Sequence, residues 1–413
     1  MLGRELVRPL EDDWRGTLDD VARARGWPSS RDVARLAERV RALSASYNDP
    51  TRASAVTRDA GPARLGFSFA RDVPKGAAAV RELVATGALR LDGTLRVLDL
   101  GAGLGATTWG LARALEAAGG RGTIDATWVD PDAQALDVAL AVARARQGRG
   151  AVEVRPTASS RGLDSLGALG GLAAFDVVLA GQLLSELDVG APEGARLERH
   201  ATLLRRWLDG LVRPDGSLVV IEPALRDRTR HLHRVHDALL EGGGGAGGGA
   251  TVFAPCVHAG RCPALRHEGD WCHEDLPVDL PAWLVPVARA AGLRFEGLTF
   301  SYLVLRKDGR RLADPFVLPP TAARLRVVSG PIRSKGKREA FLCGELPGAG
   351  VVRARAMRLD RDATAATAAW DDLARGDVLT VDPAPETHAD GASKPTRISR
   401  DRVVTRLGGT ESR

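Results

Sequence analysis

Aromatic side chains are scarce in this chain: Phe, Trp and Tyr together make up 4% of its 413 residues. A platform on which bases stack is therefore not indicated. No stretch approaches about 20 uninterrupted apolar residues, so no membrane-spanning helix is expected. The chain opens MLGRELVRPLEDDW, without an apolar leader. A cytoplasmic protein is expected, in a compartment where disulfides are rare. Lysine is also scarce: five of 58 basic residues, at positions 75, 307, 335, 337 and 394. There is no internal repeat. At this length and 44% hydrophobic content, two or three cored units are expected, in a monomer.

There are only four cysteines, and three fall in one window, FAPCVHAGRCPALRHEGDWCHEDLP. These are Cys256, Cys262 and Cys272, with Cys343 downstream. Prolines beside Cys256 and Cys262 make the segment a loop, with too little apolar material for its own core. Four thiolates suit tetrahedral zinc or a four-iron cluster; two disulfides are the other reading. The spacing is not C-x2-C, which excludes a standard zinc ribbon.

RVLDLGAGLGATTWGLARAL (96–115) reads as a short buried strand, a turn with Gly101, Gly103 and Gly105, and an apolar helix. Such glycines let backbone approach a ligand closely, and the following helix start offers free N–H groups. With Asp99 in front, the order D-x-G-x-G-x-G resembles motif I of class I S-adenosylmethionine (SAM) methyltransferases. That resemblance implies that Asp99 helps hold the methionine amino end. TIDATWVDPDAQAL (123–136) ends a second strand in Asp130, placed to accept ribose hydroxyls. FDVVLAGQLLSEL (175–187) is a third strand. LVRPDGSLVVIEPAL (211–225) turns at Pro214-Asp215-Gly216 into a fourth, similar to an L-x-P-G-G-x-L-x-x-x-E element of those methyltransferases. PAWLVPVARAAGLRFEGLTFSYLVLRK (281–307) supplies a last helix and a strand pair. The alternation predicts an α/β fold, a doubly wound, mostly parallel sheet with helices on both faces. An NAD-binding domain and a non-binding relic of the fold are the alternatives.

Residues 1–95 read as an N-terminal helical segment. Ser30 is expected to cap a helix bearing Val33, Leu36, Val40 and Leu43, and Pro74 to open another over 77–84. Residues 96–306 form the α/β domain, with the Cys-rich insert at 252–275 and a flexible glycine insert at 241–250. Residues 307–383 read as a basic, β-rich region containing RLRVV, REAFLCGEL and GVVRARAMRL, and 384–413 as a frayed tail. From Arg306 to Arg338 ten basic residues face two acids, a local excess of +8 within a net charge of +6. Such a run suits a phosphate backbone. Arg324, Arg326, Arg333, Lys335 and Lys337 are the candidate RNA contacts.

Over roughly residues 35–380 the chain resembles the methyltransferase-like family associated with the ribosomal small subunit, known from mitochondria and many bacteria. The marks are Ala254-Pro255-Cys256 through Cys262-Pro263 to Trp271-Cys272-His273, then SYLVLRK (301–307) and the lone Cys343. The resemblance implies that the four cysteines hold a 4Fe-4S cluster. It also implies SAM binding at the glycine loop and a role in small-subunit assembly and translation, in contact with ribosomal RNA. The glycine insert and the loosely fitting 66–80 segment depart from the family pattern.

After the third strand the chain has Ala180-Gly181-Gln182-Leu183, not the N-P-P-Y type motif of amino methylases. Cys256 follows proline, as in cytosine C5 methylases, but it belongs to the thiol set and follows the wrong strand. Gln182, Ser185 and Glu186 are the polar candidates near a methyl donor. An RNA methyltransferase and a SAM-binding assembly factor without turnover are both open. A small-molecule methyltransferase with structural zinc is the third reading, opposed by the basic run.

Overall fold

A computed structural model describes residues 2–48, 60–163, 175–241, 249–386 and 395–407. Most of the glycine insert lies outside the described residues. Helices α1 (Asp12–Arg23), α2 (Val33–Asn48) and α3 (Phe69–Ala85) come first, and a π-helical turn, Arg64–Ser68, leads into α3. Ser30 does not cap α2. Its N–H and hydroxyl are bonded to Asp19, at 2.7 and 2.9 Å, and Asp32 instead accepts from Arg35 N at the helix start. Pro74 sits inside α3, which begins before the predicted 77–84 stretch.

The α/β unit follows: β1 (Gly93–Leu100), α4 (Ala106–Ala117), β2 (Gly122–Val129), α5 (Ala133–Arg146), β3 (Val152–Ser159) and β4 (Phe175–Gly181). It continues with α6 (Glu193–Leu211), β5 (Val212–Glu222) and α7 (Arg226–Glu241). The cysteine loop runs between two short strands, β6 (Thr251–Ala254) and β7 (Glu274–Leu276); α8 (Val285–Ala291) and β8 (Leu298–Arg306) complete the unit. Sheet order is β3-β2-β1-β4-β5-β8-β6, with β7 also on β8. Strands β1 to β5 are parallel and β8 runs antiparallel to β5. This is the class I methyltransferase topology. The strand pair expected within 281–307 is one strand, β8, which pairs β5 on one side and, on the other, strands from either end of the cysteine insert.

Near-continuous apolar runs make these strands, because both faces are covered. One core joins α1 to α3 with α4 and α5; the other packs α6 and α7 on the opposite face. Helices α3 and α4 meet at glycines: a Cβ on Gly110 would stand 2.4 Å from Val73 O. That contact lets α3 press close against the helix that follows the glycine loop.

A second sheet, ordered β14-β12-β11-β9-β13-β15 with β10 on β11, has its own core around Leu325, Leu342, Trp370 and Val381. Its strands are β9 (Ala323–Val327), β10 (Ile332–Ser334), β11 (Lys337–Leu346), β12 (Gly350–Leu359), β13 (Val378–Asp382), β14 (Thr396–Arg397) and β15 (Val403–Arg406). Over 395–407 the last two replace the frayed-tail reading, since Ile398, Val404 and Leu407 are buried and give this polar-looking stretch an apolar face to dock; 387–394 and 408–413 lie outside the described residues. Among the described residues no helix is long and apolar enough to cross a membrane.

Candidate functional site

The β1–α4 loop is built from left-handed backbone at Gly101, Gly103 and Gly105. A Cβ on Gly105 would lie 2.7 Å from the Trp128 ring, whereas one on Gly103 would meet nothing within 4 Å. Gly103 is thus the point where the backbone is open to a ligand. It lines a cavity of 1160 Å³ together with Ala102, Asp130, Gln182 and Glu186.

Asp99 does not face that cavity. It is buried beneath the loop, where Oδ2 accepts from Thr108 Oγ1 at 2.7 Å and Thr108 N at 3.3 Å. Thr108 in turn accepts from Trp128 Nε1 at 3.0 Å. Burial raises the Asp99 carboxyl to about 7, against the Thr108 bonds. Its place is under the turn, bracing the start of α4. Asp130 does line the cavity. Its Oδ2 accepts Gly103 N at 2.8 Å and its Oδ1 accepts Asp132 N at 2.8 Å. Each oxygen keeps a lone pair for a ligand hydroxyl. Burial raises Asp130, with the two backbone bonds opposing.

The loop after β4 forms the other wall. Gln182 and Asp188 are the non-glycine residues with positive φ among those described, at 57° and 55°. Such strain is sustained only by surrounding structure. Glu222, ending β5, accepts from Leu184 N at 2.9 Å and Ser185 N at 3.1 Å. Burial lifts Glu222 to about 7. Asp72 of α3, which lines the same cavity as Gln182, accepts from Lys75 at 2.8 Å. Asp188 lies 3.4 Å from His200 Nε2, and His200 Nδ1 is 2.9 Å from His231 Nε2. Burial lowers both imidazoles to about 4, leaving them neutral at pH 7. The residues missed in the sequence are Arg64, which reaches Asp132 at 3.1 Å, Asp72 and Glu222. Glu222 is the final acid of the 212–222 element; the others carried no local signal. A smaller cavity of 430 Å³ between α1, α4 and α5 lies apart, and its Arg113 and Arg146 are already paired with Glu11 and Asp13.

The four cysteines are free, with Cys262 buried and the others partly so. Burial first, and then mutual repulsion, raise the thiols: Cys256 well above its usual value, Cys262 upward, and Cys343 to about 12. Cys343 on β11 is thereby within electrostatic reach of the loop thiols, and its Sγ is 3.7 Å from His258 Nε2. By donor chemistry alone, four unpaired thiols are of the kind a thiophilic metal takes. Among the described residues, however, no group of three or more His, Cys, Asp or Glu is arranged to hold a metal ion.

The basic run divides. Arg306 is buried against Asp308, Ser217 and Asp215 O. Arg324 donates to the carbonyls of Ala313, Phe316 and Val317. Arg326 is ion-paired to Glu82 and Glu274. Arg324 and Arg326 are therefore not surface phosphate contacts: alternation along β9 turned them inward, where internal acceptors take their donors. Arg333 and Lys335 are exposed on the β10–β11 hairpin, and Lys337 beside them pairs with Glu339.

Among solved structures, the plantazolicin methyltransferase BpumL in complex with SAH is 10% identical, covering 67% of this chain and 98% of that one, TM-score 0.34. The precorrin-6y C5,15-methyltransferase from Geobacter metallireducens is 17% identical, covering 55% and 85%, TM-score 0.27. A putative class I S-adenosylmethionine-dependent methyltransferase from Listeria monocytogenes is 16% identical, covering 59% and 60%, TM-score 0.31. Among curated proteins none matches. The family model described as mitochondrial small ribosomal subunit Rsm22 matches residues 90–357, from before β1 to within β12, and the chain belongs to that family.

Proposed function

We propose that this protein binds S-adenosylmethionine in the 1160 Å³ cavity and acts on the small ribosomal subunit as an rRNA methyltransferase or assembly factor. The observation that carries this reading is the open Gly103 backbone beside Asp130, in a chain of a ribosomal small-subunit family. Bound there, SAM would supply an activated methyl group. The chain's own task is then alignment and exclusion of water. Gly103 keeps a side chain out of the cofactor's path, and Asp130 offers acceptors for ribose hydroxyls. Gln182 and Glu186, on a loop tied to Glu222, line the room left for a substrate, while Ser185 does not line it and gives its N–H to Glu222. The cavity exceeds the usual range for one small ligand, about 300–1,000 Å³, which leaves space for an acceptor group.

A role without turnover is favoured by two observations: Ala180-Gly181-Gln182-Leu183 has no proline-aromatic clamp, and the following amides are held internally by Glu222. Cys256, Cys262, Cys272 and Cys343 are proposed to hold the 4Fe-4S cluster, zinc being the alternative. Arg333, Lys335 and Lys337 are proposed as rRNA phosphate contacts. The compartment is that of the ribosome served, which the family description gives as mitochondrial.

The test is titration calorimetry with SAM on anaerobically purified, metal-analysed protein, followed by labelled methyl transfer to isolated small subunits. SAM binding with label in rRNA supports the enzyme. Binding without label supports the assembly factor. No SAM binding rejects the proposal.

A further inference from the structure

One end of S-adenosylmethionine has no partner among the residues placed so far. Asp99, the motif acid expected at the methionine end, is turned beneath the loop to Thr108. That end carries a carboxylate as well as an ammonium group, and a carboxylate leaving water needs a cation or strong donors. Four arginines line the cavity: Arg64, Arg71, Arg199 and Arg206. Arg64 is committed to Asp132 at 3.1 Å, and Arg199 to Asp188 at 3.1 Å. Arg206 is exposed on α6, on the other face of the sheet from the N-terminal helices.

Arg71 differs. Among the described residues none accepts a hydrogen bond from it, and its Nε is buried without a partner. The guanidinium is held all the same. Its Nε lies 3.5 Å from Asp72 Oδ1, and the group sits over the buried Phe67 ring, 5.7 Å from the centroid. Asp72 Oδ1 also accepts from Lys75 Nζ at 2.8 Å. Burial pushes the Asp72 carboxyl up, but Lys75 and Arg71 outweigh it and keep the group below its ordinary value. Two cations therefore share one carboxylate, and one positive charge is left over at the cavity wall. With 35% of its side chain exposed, Arg71 is open to a ligand.

The place of Arg71 along α3 fits the methionine end. Arg64, at the π-helical entry to α3, meets Asp132 beside Asp130, the ribose end of the cavity. Arg71 follows two helical turns later, about 10 Å along the axis. One turn after Asp72, Gly76 packs on the start of α4, where a Cβ would stand 2.7 Å from Thr107 O, and the same Thr107 crowds Gly181 at the end of β4. Arg71 and Asp72 thus lie toward the β1 and β4 ends, away from the ribose acceptors.

We propose that Arg71 receives the methionine carboxylate of S-adenosylmethionine through its unpaired Nη groups, with Asp72 and Lys75 holding it at the cavity wall. The proposal rests on the reading of this cavity as the cofactor site. Arginine suits the task because its planar fork matches a carboxylate in two parallel bonds, whereas a lysine ammonium acts as a point charge. The site then selects an adenosine that carries an α-amino acid tail over one that does not.

The test is titration calorimetry on the full chain as wild type, Arg71→Met, Arg71→Lys and Arg206→Gln, with circular dichroism and urea midpoints to establish folding. The probes are S-adenosylhomocysteine and 5′-methylthioadenosine, which share the adenosine and a thioether; only the first has the amino-acid tail. Arg71→Met is expected to weaken S-adenosylhomocysteine about tenfold or more and methylthioadenosine less than about twofold. Arg71→Lys keeps the charge without the fork and should fall between. Arg206→Gln, altered in the same cavity, should bind both as wild type does. Should Arg71→Met fail to fold, Arg71→Lys decides by the same contrast between ligands. Wild-type affinity for S-adenosylhomocysteine in folded Arg71→Met, equal losses for both ligands, or a selective loss confined to Arg206→Gln would overturn the proposal alone. A wild type that binds neither ligand removes the cofactor reading itself, and this proposal with it.

Discussion

Two glycines of one loop separate folding from ligand binding. Gly103 and Gly105 both have left-handed φ, 52° and 76°, where an L side chain costs about 1–2 kcal/mol. At Gly105 an added Cβ also meets the Trp128 ring at 2.7 Å. That ring is fully buried and its Nε1 is bonded to Thr108, so it cannot yield freely. Overpacking of this kind costs about 1–3 kcal/mol more. Gly105→Ala should therefore lose about 2–5 kcal/mol, a large part of a typical domain's 5–15. At Gly103 nothing stands within 4 Å, and Gly103→Ala should lose only the backbone cost, about 1–2 kcal/mol. Its methyl would instead occupy the cavity, so SAM affinity should fall at least about tenfold, 1.4 kcal/mol. Urea denaturation of both variants and calorimetry with SAM are the assays. Wild-type SAM affinity in Gly103→Ala, or equal stability losses in the two variants, would refute the reasoning.

Other outcomes follow from the same geometry. Asp130→Asn should weaken SAM binding by about 1–3 kcal/mol; Asp130→Ala is a poorer test, because it strips both acceptors, from Gly103 N and Asp132 N, where Asn keeps one. Glu222 has a folded pKa raised to about 7, so its contribution is full below the unfolded value near 4 and is lost as pH rises towards 7. The stability of wild type relative to Glu222→Gln should fall across pH 4.5 to 7, by of the order of 3 kcal/mol; a pH-independent difference counts against a buried, protonating carboxyl. His200 and His231, lowered to about 4, have the opposite sign: the stability they contribute is full above pH 6.5 and is lost as pH falls towards 4. Replacing both with Phe should flatten the acid limb of a stability curve. Neutralising Arg333, Lys335 and Lys337 should reduce the slope of log affinity for rRNA against log salt by about 2–3; identical slopes would make the hairpin a merely solvated one.

The sequence by itself determined the α/β fold, because apolar runs, glycine turns and helical periodicity are local signals that pair in order. It also located the glycine loop, with Gly103 and Asp130 facing one cavity. Tertiary structure decided the rest. Asp99 reads as a ligand in the motif, yet packing turned it under the loop to Thr108. Arg324 and Arg326 look like free cations in a basic run, but β9 became an interior strand and their partners lie as far away as Glu82, 244 positions upstream. Asp72 and Arg64 gained their roles only when the N-terminal helices closed over the sheet. Strand alternation says which side chains share a face; whether that face meets water or another element is set by contacts remote in sequence, which no local pattern encodes.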